Sequence, residues 1–292
     1  MHSIEIAEIG KRYWLPENLG ECDRRQYLDI SKLVLMYQMA EISLEEFRVL
    51  GLYALLNMVP EESALENIQD EKWENIYILS ELLNSFFTID ADGRMHLIQD
   101  YIHNPVKSVK YKLRTLYGPK DSFSDITYGQ LEDGVGELQN FLKSGEIQSL
   151  VKLFAIFYKF KGEKYHQINL EQRVKFFDHL DIRYVYGFYL LFVSFFNFLT
   201  KECIIAVDGK ELDLTILFKS AENTETDTTQ PEGLGMRSTS FQLAESGVFG
   251  TLKELREMDA MTVLIRMYDL VIRAQREERE RQEAEDKAKE QS

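Results

Sequence analysis

Five histidines, two cysteines and the loop from Asp90 to Arg94 are the residues whose types suit metal or nucleophilic chemistry. Metal sites draw on His and Cys at short, recurrent spacings. His2, His96, His103, His166 and His179 never fall three or four apart, and no cysteine stands near any of them. Asp90-Ala-Asp-Gly-Arg94 begins like a calcium loop. It then places Arg94 at the fifth position and Met95 at the sixth, where the loop needs glycine. The stretch is read as a hairpin turn. Cys22 stands among the acids Glu21 and Asp23, which hold a thiol protonated, so it is read as a small residue at a helix start. Gly-x-Ser-x-Gly does not occur. Gly233-Leu-Gly-Met-Arg237 lacks the third glycine of a phosphate cradle and follows no βαβ strand, so it reads as a hinge. With 49 acidic residues, paired carboxylates arise by chance and carry no information. The expectation is no catalytic residue, no metal and no cofactor.

Charge and composition narrow the partners. The chain has a formal net charge of −15, which repels phosphate backbones. Its one basic cluster, Lys107 to Arg114 with Tyr111 and Tyr117 interleaved, is too small for a duplex footprint. That cluster reads as the solvated face of a short helix or strand after Pro105, and no nucleic-acid partner is expected. The N-terminus, Met1 to Ile9, is interrupted by acids and does not read as a signal peptide. Tyr184 to Leu199 is free of charge but shorter than the roughly 20 residues a membrane span requires, and it contains Ser194 and Asn197. A helix apolar all round belongs in the middle of a large core. The aromatic runs Phe154–Phe160 and Phe192–Phe198 are read as packing too. No membrane is expected, and the unpaired cysteines fit a reduced, cytoplasmic setting.

The elements that would position any site are mostly helices. Asp23 precedes Tyr27, Ile30, Val34 and Tyr37 at helical spacing. Ser43 with Glu46, Ser63 with Glu66 and Thr127 with Gln130 are capping-box patterns ahead of apolar runs. Two stretches, 86–98 and 203–218, carry Asp92-Gly93 and Asp208-Gly209 between apolar runs and predict β-hairpins. In the second, Leu212, Leu214, Ile216 and Phe218 alternate, so one face would be buried. Met39-Ala-Glu-Ile42 and Ser144-Gly-Glu-Ile147 echo one another between helical patterns, as antiparallel helix pairs do. The fold class is mainly α: a bundle-like helical body with two short hairpins and a C-terminal helix.

Three spans follow: a body over 1–219, a polar linker over 220–240, and a C-terminal helical segment over 241–292 with a charged tail from 275. Ala221 to Glu232 holds four acids, no base and Pro231, a composition for an exposed linker. A small helix is expected at Ser240–Ser246 and a long one from near Thr251. In Met261 to Ile272 only Thr262, Arg266 and Asp269 are polar, and they share one stripe that Arg273 continues. Such a helix must be covered, by its own body or by a partner. Met261, Leu264, Met267, Tyr268 and Val271 are the candidate docking surface, with the methionines adaptable. Protein contacts or self-association are the expected mode of action.

At Ile126-Thr-Tyr-Gly-Gln-Leu-Glu-Asp133, Phe154-Ala-Ile-Phe-Tyr158 and Leu243-Ala-Glu-Ser-Gly-Val-Phe-Gly250 the chain resembles uncharacterised proteins encoded in bacteriophage or prophage tail regions of Bacteroidetes-type bacteria. The resemblance implies a structural or assembly role in the virion or tail, such as that of a chaperone for tape-measure or tube proteins. It brings no functional residues with it. A self-contained helical domain, or an enzyme whose site is assembled from scattered residues, are the alternatives.

Overall fold

The computed structural model describes residues 1–6, 11–58, 70–218, 236–245 and 249–290. Local capping chemistry sets the helix starts. Asp23 opens α1 (Arg24–Gln38): its carboxylate accepts the Gln26 amide at 2.8 Å, and the Gln26 side chain accepts the Asp23 amide at 3.0 Å. Ser43 and Glu46 do the same for α2 (Leu44–Leu56). The Ser63–Glu66 pair lies outside the described residues, and α3 is described over Asp70–Ser80. Thr127 and Gln130 open α4 (Tyr128–Ser144), which turns at Gly145 into α5 (Ile147–Phe157). Then come α6 (Leu170–Phe176), α7 (Ile182–Lys201), α8 (Met236–Glu245), α9 (Leu252–Glu257) and α10 (Ala260–Glu290). The chain is mainly α.

The core is built around α7, which packs against both α1 and α5. Val185, Phe188, Leu191, Phe192, Phe195 and Leu199 are all buried. Among the described residues α7 alone has the length and apolar character of a membrane span. Here its apolar side chains meet other aromatics. Phe123 stacks on Phe195 at 4.2 Å, and Phe157 lies 5.2 Å from both Phe188 and Phe192. The polar atoms within α7 hold other chain segments. Tyr27 donates its hydroxyl to the Gly187 carbonyl at 2.7 Å, and the Tyr101 amide donates to Ser194 Oγ at 2.9 Å. A buried amide or carbonyl left without a partner costs about 1–3 kcal/mol, so the first contact fastens α1 to the helix and the second fastens the 99–104 loop.

The sheet content departs from the two expected hairpins. Among the described residues there are four small antiparallel sheets. The expected pair are present as β3 (Phe87–Ile89) with β4 (Met95–Leu97), and β8 (Ile204–Val207) with β9 (Lys210–Asp213). The unforeseen sheets are β1 (His2–Ile6) with β2 (Lys11–Leu15), and β5 (Ser108–Tyr111), β6 (Arg114–Tyr117) and β7 (Lys159–Phe160). The basic cluster therefore lies on a strand hairpin, whose turn holds Lys112 and Leu113 in left-handed conformations. The alternation expected through Phe218 stops at Asp213. Its carboxylate accepts the Thr215 amide at 3.0 Å and starts a 3-10 turn over Leu214–Leu217, which packs on α7. The helical body thus carries four small sheets among the described residues rather than two hairpins.

The echoed turns do share a backbone device. Ala40 (φ 56°) and Gly145 (φ 69°) occupy the same place in each motif, and both are left-handed. Each reverses a helix into the next, joining α1 to α2 and α4 to α5, and both pairs pack as antiparallel neighbours. Alanine costs roughly 1–2 kcal/mol in that conformation, and the interhelical packing offsets it.

Two glycines of α4 should respond oppositely to alanine. A Cβ at Gly134 would lie 2.8 Å from the Phe157 ring, whereas none of its neighbours comes within 4 Å at Gly136. Gly134→Ala should destabilise by about 1–3 kcal/mol, and Gly136→Ala should stabilise by about 0.5–1 kcal/mol. Urea midpoints report both, and shifts of the same sign would contradict the packing described.

Alkali supplies a second test. Burial pushes the phenols of Tyr27, Tyr101 and Tyr158 well above the usual tyrosine range. The unfolded chain ionises near pH 10 while the folded one does not, so their contribution is complete below about pH 10 and is lost as pH rises beyond it. The part of the tyrosinate absorbance contributed by these three buried phenols should therefore appear together with loss of helical circular dichroism. Ionisation of these residues in a chain that stays folded would contradict the burial.

Candidate functional site: the root of the C-terminal helix

The long helix expected from Thr251 is two helices. Thr251 does cap α9, accepting the Glu254 amide at 3.3 Å while Glu254 accepts the Thr251 amide at 2.8 Å. The helix ends after six residues, and Asp259 opens α10 by accepting the Thr262 amide at 2.8 Å. Between them the backbone pairs with the start of α4. Tyr128 N–H donates to the Met258 carbonyl at 2.9 Å, and Ala260 N–H donates to the Ile126 carbonyl at 3.1 Å. Leu252, Leu255 and Met258 keep a helical spacing through the break, which is why the sequence reads as continuous there.

A charged latch sits beneath this junction. Arg256 on α9 pairs with Glu132 and with Asp133 of α4, the second at 2.5 Å, and Asp133 also accepts the Tyr165 hydroxyl at 2.5 Å. Glu132 is buried, so Arg256 supplies a compensating charge inside the fold. Burial pulls the Arg256 guanidinium down, but Asp133 and Glu132 outweigh it and hold the group above the usual arginine value. Burial and Asp133 together push the Tyr165 phenol up. Gly129 allows the approach: a Cβ there would lie 2.9 Å from the Arg256 carbonyl oxygen. Tyr128, Leu243, Phe249, Leu255 and Val263 close a second small core around the latch.

The five candidate docking residues separate by depth. Leu264 is buried in the main core. Met261, Met267 and Tyr268 are half-buried against that core, and Met267 also touches the second cluster. Val271 is half-buried and belongs to neither cluster among the described residues. The polar stripe forms a ladder in which Asp269 pairs with Arg266 and, at 3.0 Å, with Arg273. From Arg273 onward every described side chain of α10 is exposed, although the backbone stays helical to Glu290. The 220–240 linker lies largely outside the described residues, and α8 begins inside that span at Met236.

The residues singled out for chemistry are dispersed. Asp90 accepts the amides of Asp92 and Arg94 and meets His96 Nε2 at 2.8 Å, so it shapes its turn. The His96 contact, followed by those amides, holds the Asp90 carboxyl below the usual range. His2 reaches Ser85, and His166 lies 3.5 Å from Glu257. Burial is the main cause of the raised Cys22 thiol, with Asp23 and Glu21 adding to it. Comparison of the chain with protein-family models, with curated proteins and with solved structures gave no match.

Removing the latch should be costly. Arg256→Met leaves Glu132 and Asp133 without their cation and should destabilise by roughly 3 kcal/mol. Adding Glu132→Gln and Asp133→Asn should recover part of that loss in denaturant titrations. A neutral single variant would show that the ion pairs contribute nothing to holding α9.

Proposed function

We propose that this chain is a non-catalytic structural or assembly protein that acts through protein–protein contacts made by α10, in the phage tail setting to which its sequence resemblance points. The observation that carries the reading is the division of α10 into an anchored root and an exposed extension. Ala260, Val263 and Leu264 are buried in the body, while the helix beyond Arg273 extends with its described side chains in solvent. An isolated charged helix is held together only by pairs three and four apart, each worth about 0.2–0.5 kcal/mol. Arg273–Asp269 and Gln282–Glu278 are of this kind. A solvated helix of that length gains little for its own body, and it suits a partner that reads both charge and the half-buried Tyr268, Val271 and Ile272 at its base.

The division also selects the variants. A chain ending at Ala274 should keep its cooperative unfolding and midpoint, because nothing in the core is removed. The full chain, co-expressed with tail tube and tape-measure proteins, should co-elute with one of them in size-exclusion chromatography, or self-associate. The shortened chain and Val271→Asp should lose that association. Leu264→Asp should instead unfold the body. Equal association by the full and shortened chains would sink the role of α10, and a strictly monomeric, non-binding full chain would sink the assembly reading itself.

A further inference from the structure

Beside the latch lies a cleft of about 590 Å³, within the size range of small-molecule sites. Its walls come from β7, the 3-10 turn Tyr165–Gln167, α9 and the first residue before α4. Lys159, Lys164, Lys253 and Arg256 line it, against only two acids, Glu163 and Glu257. Both acids are already engaged. Glu163 pairs with the buried Arg173 through one oxygen and accepts the Phe160 amide at 2.9 Å through the other. Glu257 lies 3.5 Å from His166 and 3.9 Å from Lys253. Arg256 is committed to Glu132 and Asp133.

Two ammonium groups are left over. Among the described residues Lys159 Nζ reaches only the amide oxygen of Gln130, at 3.4 Å. Lys164 is exposed at the rim and makes no ion pair among the described residues. In a chain with 49 acids and 34 bases, carboxylates are the abundant partner, yet among the described residues none pairs with either amine. Burial lowers the affinity of Lys159 for its proton, with Asp125 and Glu163 opposing it at longer range, so its charge is incompletely compensated. Leu252 and the Tyr165 ring give the cleft an apolar side.

We propose that this cleft binds a small organic anion, a phosphate or carboxylate head group on an apolar body, with Lys159 and Lys164 holding the head group and Leu252 with Tyr165 receiving the body. The site is independent of the contacts assigned to α10, and either can fail alone. The test is NMR titration of the full chain with phenyl phosphate, benzoate and benzyl alcohol. One of the two anions should bind saturably with a Kd on the order of millimolar or tighter, moving signals of Leu252 and Tyr165; which anion binds identifies the head group. Lys159→Met with Lys164→Met should weaken it at least about tenfold, and Lys201→Met should not. Lys164→Met alone, at an exposed position, keeps the test available if the double variant unfolds, and should also weaken binding. Absence of saturable binding by both anions, equal shifts from benzyl alcohol, or unchanged affinity in the lysine variants would overturn the proposal.

Discussion

A helix that is apolar on every side must be covered on every side, and α7 imposes that condition on the rest of this chain. No single neighbour can satisfy it. Two helical hairpins supply α1 and α5, while the loop around Tyr101 and the 3-10 turn after β9 cover other parts of its surface. Ser194 and Gly187 look like blemishes in an apolar run, but they are the points at which outside segments are fastened. Ser194 holds the backbone of Tyr101, and Gly187 offers its carbonyl and its missing side chain to Tyr27. Apolar coverage supplies most of the driving force, and these few polar contacts give the covering segments their register.

Much of this framework is legible in the sequence wherever the cause is local. Helix starts at Asp23, Ser43 and Thr127 follow from side chains bonding amides three residues away. The burial of α7 follows from composition. The β8–β9 turn follows from Asp208-Gly209, whose left-handed backbone suits those two residue types. Legibility falls where the cause is distant. β7 is two residues long and exists because the end of α5 delivers it to β6. The Lys112–Leu113 turn carries no glycine and gives no turn signal, and the alternation after Leu212 is cut short by one carboxylate, that of Asp213.

The site is less legible than the fold for the same reason. The apolar character of Met261 to Ile272 announces a covered helix, and Leu264 lies in the core accordingly. Which face stays partly open depends on how α9 is turned against α4, and that depends on Arg256. Nothing distinguishes Arg256 in Leu252-Lys-Glu-Leu-Arg-Glu257 from an ordinary surface residue. Its partners Glu132 and Asp133 are two acids among 49. The neighbouring cleft draws its walls from segments far apart in the chain, so neither pattern nor spacing could assemble it.

The paired starts of α4 and α10 carry a mechanical consequence. Because Thr127 and Asp259 face each other across a backbone bridge, the direction of α10 is set by the axis of a core helix. The part beyond Arg273 is a helix of about 25 Å at the helical rise per residue. Its foundation is the stretch from Ala260 to Leu270 packed on the body, two backbone hydrogen bonds and the Arg256 latch. A load applied near Glu290 acts on that small base with a long arm, so a slight tilt at the root becomes a large displacement at the tip. The heading of the exposed helix is therefore governed at its root.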